Sequence, residues 1–148
     1  MSDIIKAREA AIHAETVAEQ TCNRALDQLH QMNARLVELH DAIRAAQPVA
    51  NNSVCLELYP CGPGCAGCPH PRWVQYRWTA ETGTKPAILL GMNLGAKKKD
   101  PILALSRKEP HYRATADLIR EAKTILSKRA KLLAVFKTLR FTAQSKLT

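Results

Sequence analysis

A chain of 148 residues, 46% apolar but only 5% aromatic, is sized for one domain, or one small domain with helical extensions, and excludes a large multidomain enzyme. Its net charge of +9 is not needed for folding and points to a polyanionic partner, of which nucleic acid is the commonest. The polar, periodic opening MSDIIKAREAAIHAE has no apolar core of a secretory signal, and no stretch approaches the ~20 apolar residues of a membrane helix, so a cytoplasmic protein away from the membrane is expected.

All eight prolines and all six glycines fall between Pro48 and Pro110, which divides the chain into helix, irregular head and helix. The predicted regions are 1–47, a long coiled-coil helix; 48–109, a β head with a basic loop; and 110–148, a basic helix. Residues 2–47 contain no helix breaker, and Ser2 or Asp3 is placed to cap them. Such a helix is about 65 Å long. Cys22, Leu29, Leu36 and Ile43 form one row of seven-residue spacing, and Ala25, Met32 and Leu39 belong to another. The rows alternate by three and four, the a/d seam of a coiled coil, expected to pair from about Ala18 onward. Nearer the start the seam meets Arg8 and Glu15, and packing within a domain suits it better.

The head contains three β-prone stretches: Ser53–Tyr59, Arg72–Thr79 and, after a Glu81–Thr84 turn, Lys85–Leu90. A three-stranded meander is too small to stand alone. Between its first two strands lies Cys61-Gly-Pro-Gly-Cys65-Ala-Gly-Cys68-Pro-His70. Thiolates two to four residues apart converge on one ion where the backbone turns tightly, and glycines and proline supply that turn. Cys61, Cys65, Cys68 and His70 are therefore the expected ligands of a structural zinc ion, with Cys55 and His111 as alternatives for the fourth place. An iron–sulfur cluster or a disulfide is a lesser rival. A closed Cys3His set leaves no position for substrate, and no zinc-deaminase HxE, GxSxG, Walker loop or HExxH occurs, so no enzyme is expected.

Arg72, Trp73, Tyr76, Arg77 and Trp78 interleave cationic and aromatic side chains on the second strand. In nucleic-acid readers aromatics stack on bases while arginines neutralise phosphate; equally, a small meander needs its aromatics for a core. Trp73 and Trp78, an odd number apart, fall on opposite faces. Asp100-Pro101 is expected to start a short helical turn through Leu105, and the second long helix runs from Pro110 or His111 to about Arg140. Its apolar residues come as doublets, a stripe wide enough for two neighbours, and Arg129 falls within that stripe, where pairing with an acid of the first helix is expected.

Residues 1–47 carry five basic and seven acidic groups, and residues 97–148 carry fourteen and four. These opposite charges favour pairing of the two long helices, within one chain as a hairpin or between chains of a homodimer. The phosphate-binding candidates are Arg72, Arg77, Lys97, Lys98, Lys99, Arg107, Lys108, Arg113, Lys128 and Lys131.

The stretch LELYPCGPGCAGCPHPRWVQYRW followed by a basic helix resembles a loosely defined group of small proteins of bacterial phages, plasmids and transposons. That group has a cysteine-rich knuckle, a His-Gly-Pro-Tyr-Trp type strand and a helix, and its function is not established. His70 and Trp73 match positions in the pattern, with Pro71-Arg72 where the group has Gly-Pro-Tyr; the cysteine spacing also differs. The resemblance covers residues 55–140 and implies a mobile-element setting and a zinc-stapled head. Together these readings describe a mostly helical α+β chain, two long helices (coiled coil or bundle) flanking a zinc-stapled antiparallel meander. The expected role is non-enzymatic binding of DNA or RNA, with a regulator acting on a protein partner (a polymerase, recombinase or nuclease) as the alternative.

Overall fold

A computed structural model, which describes residues 2–147, contains in chain order α1 (Asp3–Ala45), β1 (Val54–Tyr59), β2 (His70–Trp78), β3 (Leu89–Asn93), α2 (Pro101–Ala104) and α3 (Tyr112–Gln144). Two long helices thus flank a three-stranded antiparallel sheet of order β1-β2-β3. The chain divides into two compact units, Met1–Ala34 and Arg35–Thr148.

The first unit is the N-terminal part of α1. Its apolar side chains Ile4, Ile5, Ile12, Val17 and Leu26 are exposed. Of the heptad positions here, Cys22 is exposed, and Ala25, Leu29 and Met32 are half-buried. Thr16 and Thr21 donate to the carbonyls of Ile12 and Val17 four residues back, so their hydroxyls are satisfied within the helix.

The second unit contains the core. Leu36, Leu39 and Ile43, the last positions of the heptad seam, are fully buried there with Val54, Leu56, Leu94, Leu105, Ala116, Ile119 and Ala122. At these positions the seam serves the fold of a single chain. Arg35 adds a fork of two bonds to Glu121 on α3, at 3.2 and 2.7 Å, and a third to Glu38 at 2.9 Å. This pair joins the two helices within one chain, with the base on α1 and the acid on α3, the reverse of the net charges of the two regions.

Along β1 the side chains alternate between two faces, although Val54, Cys55 and Leu56 are all buried. Val54, Leu56 and Leu58 join the core side, opposite Gln75, Trp73 and Pro71 of β2. On the other face Glu57 accepts from Arg72 at 2.6 Å and from the Tyr76 hydroxyl. Trp73 packs against the core, whereas Trp78 is exposed, as their odd spacing predicts. The third strand lies later than expected: Thr82 and Lys85 form only an isolated bridge, and pairing with β2 begins at Leu89. Pro86 has no N–H to donate, which disfavours a ladder there. Gly91 instead lies under the side chains of Val74 and Tyr76, where a Cβ would stand 2.7 Å from Val74 Cγ1.

Connections are held by side chains. Gln47 is buried at the α1–β1 junction; its amide donates to the carbonyls of Ile43 and Val54 at 3.1 and 2.6 Å and accepts from the Val54 N–H at 2.9 Å. Asp100 caps α2 by accepting from the Ile102 N–H at 2.8 Å, with Pro101 in the first turn. Gln75 donates to the Ala104 carbonyl at 3.1 Å, fixing α2 to the sheet. No helix of the described residues is long and apolar enough to cross a membrane.

Candidate metal centre

The Cys61–Pro69 loop leaves β1 after Tyr59 and enters β2 at His70, and these two residues are themselves a cross-strand pair. The loop is therefore closed at its base by the sheet. Gly62 and Gly64 have φ of 147° and 84°, where an L side chain is strained, and the Cys68–Pro69 peptide is cis. Folded in this way, the loop brings Cys61, Cys65, Cys68 and His70 together with all four ligand atoms within 4.8 Å of one another. Cys61 Sγ is 3.4 Å from Cys68 Sγ, and His70 Nε2 is 3.3 Å from the Sγ atoms of Cys61 and Cys65. Zinc bonds of 2.0–2.3 Å at tetrahedral angles demand edges of about 3.4–3.8 Å, so this donor set fits a small borderline cation. Cys55 lies outside the set, buried on β1, and His111 sits at the start of α3, so the fourth position in the cluster belongs to His70.

The thiols of the cluster influence one another's ionisation. Hydrogen bonds from Cys65 and Cys68, and the charge those thiols would carry, push the Cys61 thiol up to about 12. Cys68 is shifted down because the Cys61 N–H donates to its sulfur at 3.3 Å. Three crowded sulfurs cannot all ionise together unless a positive ion stands among them. A dication bound by three thiolates and a neutral imidazole keeps one net negative charge.

A cation of the protein lies close to that charge. Arg129 of α3 is buried, and its guanidinium donates to the carbonyls of Gly67 and Pro69, both at 3.0 Å. Burial pulls its pKa down while the Cys68 sulfur pushes it up. Arg140, three turns later, donates to the Gly64 carbonyl at 3.4 Å. Pairing of Arg129 with an acid on the first helix was expected; both of these bonds go to the Cys61–Pro69 loop, whose carbonyls have no partner strand. Its position in an apolar stripe was the signal that it answers a buried acceptor. The sequence did not say which.

The other singled-out residues are distributed over the Arg35–Thr148 unit. Arg72 is paired with Glu57 and lies 5.4 Å from the centre of the Tyr59 ring. Arg77, Lys98 and Lys99 line one cleft, whereas Arg107, Lys108, Arg113, Lys128 and Lys131 are exposed along the following segment and α3. Between the knuckle and the end of α3 runs a separate groove of about 730 Å³, with Leu133, Phe136 and Phe141 along it and Lys137 and Arg140 at its rim.

No protein-family model matches the chain, and no characterised protein or solved structure matches it either.

Proposed function

We propose that the protein is a non-catalytic, zinc-stapled accessory protein that binds nucleic acid through the basic surface of its Arg35–Thr148 unit. The observation that carries this reading is the division of charge in that unit. Its acids are largely engaged: Glu38 and Glu121 with Arg35, Asp41 with His40, Glu57 with Arg72, Asp100 with Lys123 and Asp117 with Arg120. Among the described residues Arg72 is the only phosphate-binding candidate held in an ion pair; Arg77, Lys97–Lys99, Arg107, Lys108, Arg113, Lys128 and Lys131 have none. Lysines and arginines left in this state attract phosphate and release its counterions on binding. The metal has a structural part in this reading: it holds the knuckle on which α3 and the sheet rest.

The exposed Ile5, Ile12 and Leu26 of α1 lie on one seven-residue row, interrupted by Glu19, and support pairing of this segment with its counterpart in a second copy. A mobile-element setting, resting on the resemblance of residues 55–140, is compatible with such an accessory role. The test is titration of the full-length protein with labelled single- and double-stranded oligonucleotides at several salt concentrations. Log affinity is expected to fall linearly with log salt; no binding at low salt, or binding indifferent to salt, overturns the reading.

A second reading, a protein-binding regulator, is favoured by the groove beside the knuckle. Its apolar floor and basic rim suit an apolar side chain flanked by acidic residues in a partner segment. Nuclease-resistant binding of a purified partner, lost in Phe141→Asp and kept in Lys128→Gln, would favour this reading over the first.

A further inference from the structure

The cleft between β2, the Asn93–Asp100 loop and α2 combines charge and shape in a way that the rest of the basic surface does not. It encloses about 580 Å³, room for one nucleotide unit, and Arg77, Lys98 and Lys99 line it together with Asn52 and the apolar Leu103. All three cations are exposed, and none of their side chains has a hydrogen-bond or ion-pair partner among the described residues. Arg77 is delivered by β2, where it shares a face with Gln75, while the lysines come from a loop some twenty residues later. Convergence of cations from separate elements differs from a solvated lysine run, because mutual repulsion opposes it unless an anion is present.

One acid also lines this cleft, and its carboxylate is already engaged. Asp100 accepts from the Ile102 N–H at 2.8 Å through one oxygen and from Lys123 Nζ at 2.5 Å through the other. Lys123, reaching in from α3, thus neutralises the one group that would repel an anion. The backbone gives a second sign. Asn52 and Lys98, both on the cleft wall, have φ of 70° and 54°. Asparagine tolerates that region, but a lysine there is uncommon and is held by its surroundings. The Lys98 N–H donates to the Gly95 carbonyl at 3.1 Å and the Lys99 N–H to that of Leu94 at 3.0 Å, so the turn that presents these side chains is fixed.

We infer that this cleft is a phosphodiester subsite: Arg77, Lys98 and Lys99 hold a backbone phosphate of a nucleic-acid strand, the exposed Leu103 supports the adjoining sugar or base, and Lys123 tunes the site by occupying Asp100. The inference rests on the nucleic-acid reading above and adds where on the basic surface the strand is gripped. This site differs from the contacts of α3 in that cations from two elements meet in a concave site.

The test uses the full-length, metal-loaded protein and a fluorescent oligo-dT strand, with affinity followed against salt. The variants are Arg77→Gln/Lys99→Gln and, as a control of equal charge loss, Lys128→Gln/Lys131→Gln. All four residues are exposed, so thermal melts should match the parent and report folding. The cleft pair is expected to weaken binding about tenfold at low salt and to lower the salt slope by about two, clearly more than the control pair. Lys123→Gln, which frees the Asp100 carboxylate, is expected to weaken binding more than Lys128→Gln, and the combination with Asp100→Asn to recover the loss. Equal effects of the cleft and control pairs, with parent binding intact, overturn the subsite and leave the broader reading standing. A parent protein that binds no oligonucleotide overturns both. Displacement of the strand by submillimolar inorganic phosphate overturns the backbone assignment and marks the cleft as a free-phosphate site.

Discussion

Arg129 on α3 donates to the carbonyl oxygen of Gly67 at 3.0 Å, tying the helix to the cysteine loop across 62 positions of chain. The guanidinium also holds the Pro69 carbonyl and is only 3% exposed. Removing it leaves two acceptors without their donor and a gap beside the knuckle. Arg129→Met should therefore cost about 2–4 kcal/mol in urea unfolding. Arg129→Lys should restore part of the loss, since both bonds come from one guanidinium nitrogen and an ammonium has donors for two carbonyls but a shorter reach. A loss below about 0.5 kcal/mol for Arg129→Met would show that the clamp is not needed.

Chelation should separate the head from the helices. Removal of the metal leaves the Cys61, Cys65 and Cys68 thiolates without a counter-charge, and the loop that joins β1 to β2 loses its closure. Trp73 sits on β2 and packs on the core, so its fluorescence is expected to change while most of the helical circular dichroism remains. Native mass spectrometry should find one zinc ion per chain before treatment and none after it. An unaltered tryptophan spectrum once the metal is gone would contradict a structural role.

Acid should weaken the protein partly through Asp100. The hydrogen bond from Lys123 holds its carboxyl below the usual carboxylate range, against a smaller opposing effect of burial. A folded-state value below the unfolded one contributes stability above the unfolded value, near 4, that is lost as pH falls through the folded value. Both side chains are more than a third exposed (36% and 38%), so solvent screening keeps the contribution below about 1 kcal/mol. The urea midpoint of the parent should thus fall more steeply than that of Asp100→Asn between about pH 5 and pH 2. Parallel curves would remove the pair from the account of acid stability.

Two positions of α1 should respond in opposite assays. Leu39 is fully buried and Leu39→Ala should cost about 2–5 kcal/mol. Ile12 is 64% exposed, and Ile12→Ala should leave unfolding of the chain within about 0.5 kcal/mol while lowering the fraction of dimer in sedimentation if α1 segments pair. A dimer fraction unchanged by Ile12→Ala and Ile5→Ala together would exclude pairing through this stripe.

Gly91 offers a smaller and sharper check. A methyl group there meets Val74 Cγ1 at 2.7 Å and Tyr76 at 3.2 Å, so Gly91→Ala should cost about 1–3 kcal/mol. Adding Val74→Ala, which withdraws the nearer atom, should make the second substitution less costly than it is alone.

Much of this architecture was legible because its signals are local. The absence of prolines and glycines from residues 2–47, the Asp100-Pro101 cap and the odd spacing of Trp73 and Trp78 each act within a few residues of chain, and the elements follow them. The knuckle was legible for the same reason: Cys61, Cys65, Cys68 and His70 are brought together by one short loop. What depends on remote neighbours was less so. The late start of β3 is favoured by the fit of Gly91 beneath Val74 and Tyr76, and that fit belongs to the neighbouring strand. The Gly67 and Pro69 carbonyls that Arg129 holds are backbone atoms, which carry no letter in a sequence. The convergence of Arg77 with Lys98 and Lys99 required knowing that the loop after β3 returns beside β2, and the engagement of Arg72 by Glu57 required the strand register.

The amide of Gln47 has one more consequence. β1 is an outer strand, and an outer strand presents unused N–H and C=O groups to which a strand from another molecule can add. At Val54 both groups are already taken by the Gln47 side chain, which imitates one residue of a neighbouring strand. The sheet therefore begins with a plug at its open border, which opposes strand addition at Val54. A replacement such as Gln47→Leu would nearly keep the volume but return the Val54 N–H and C=O to the open border, where a strand of another molecule can pair with them.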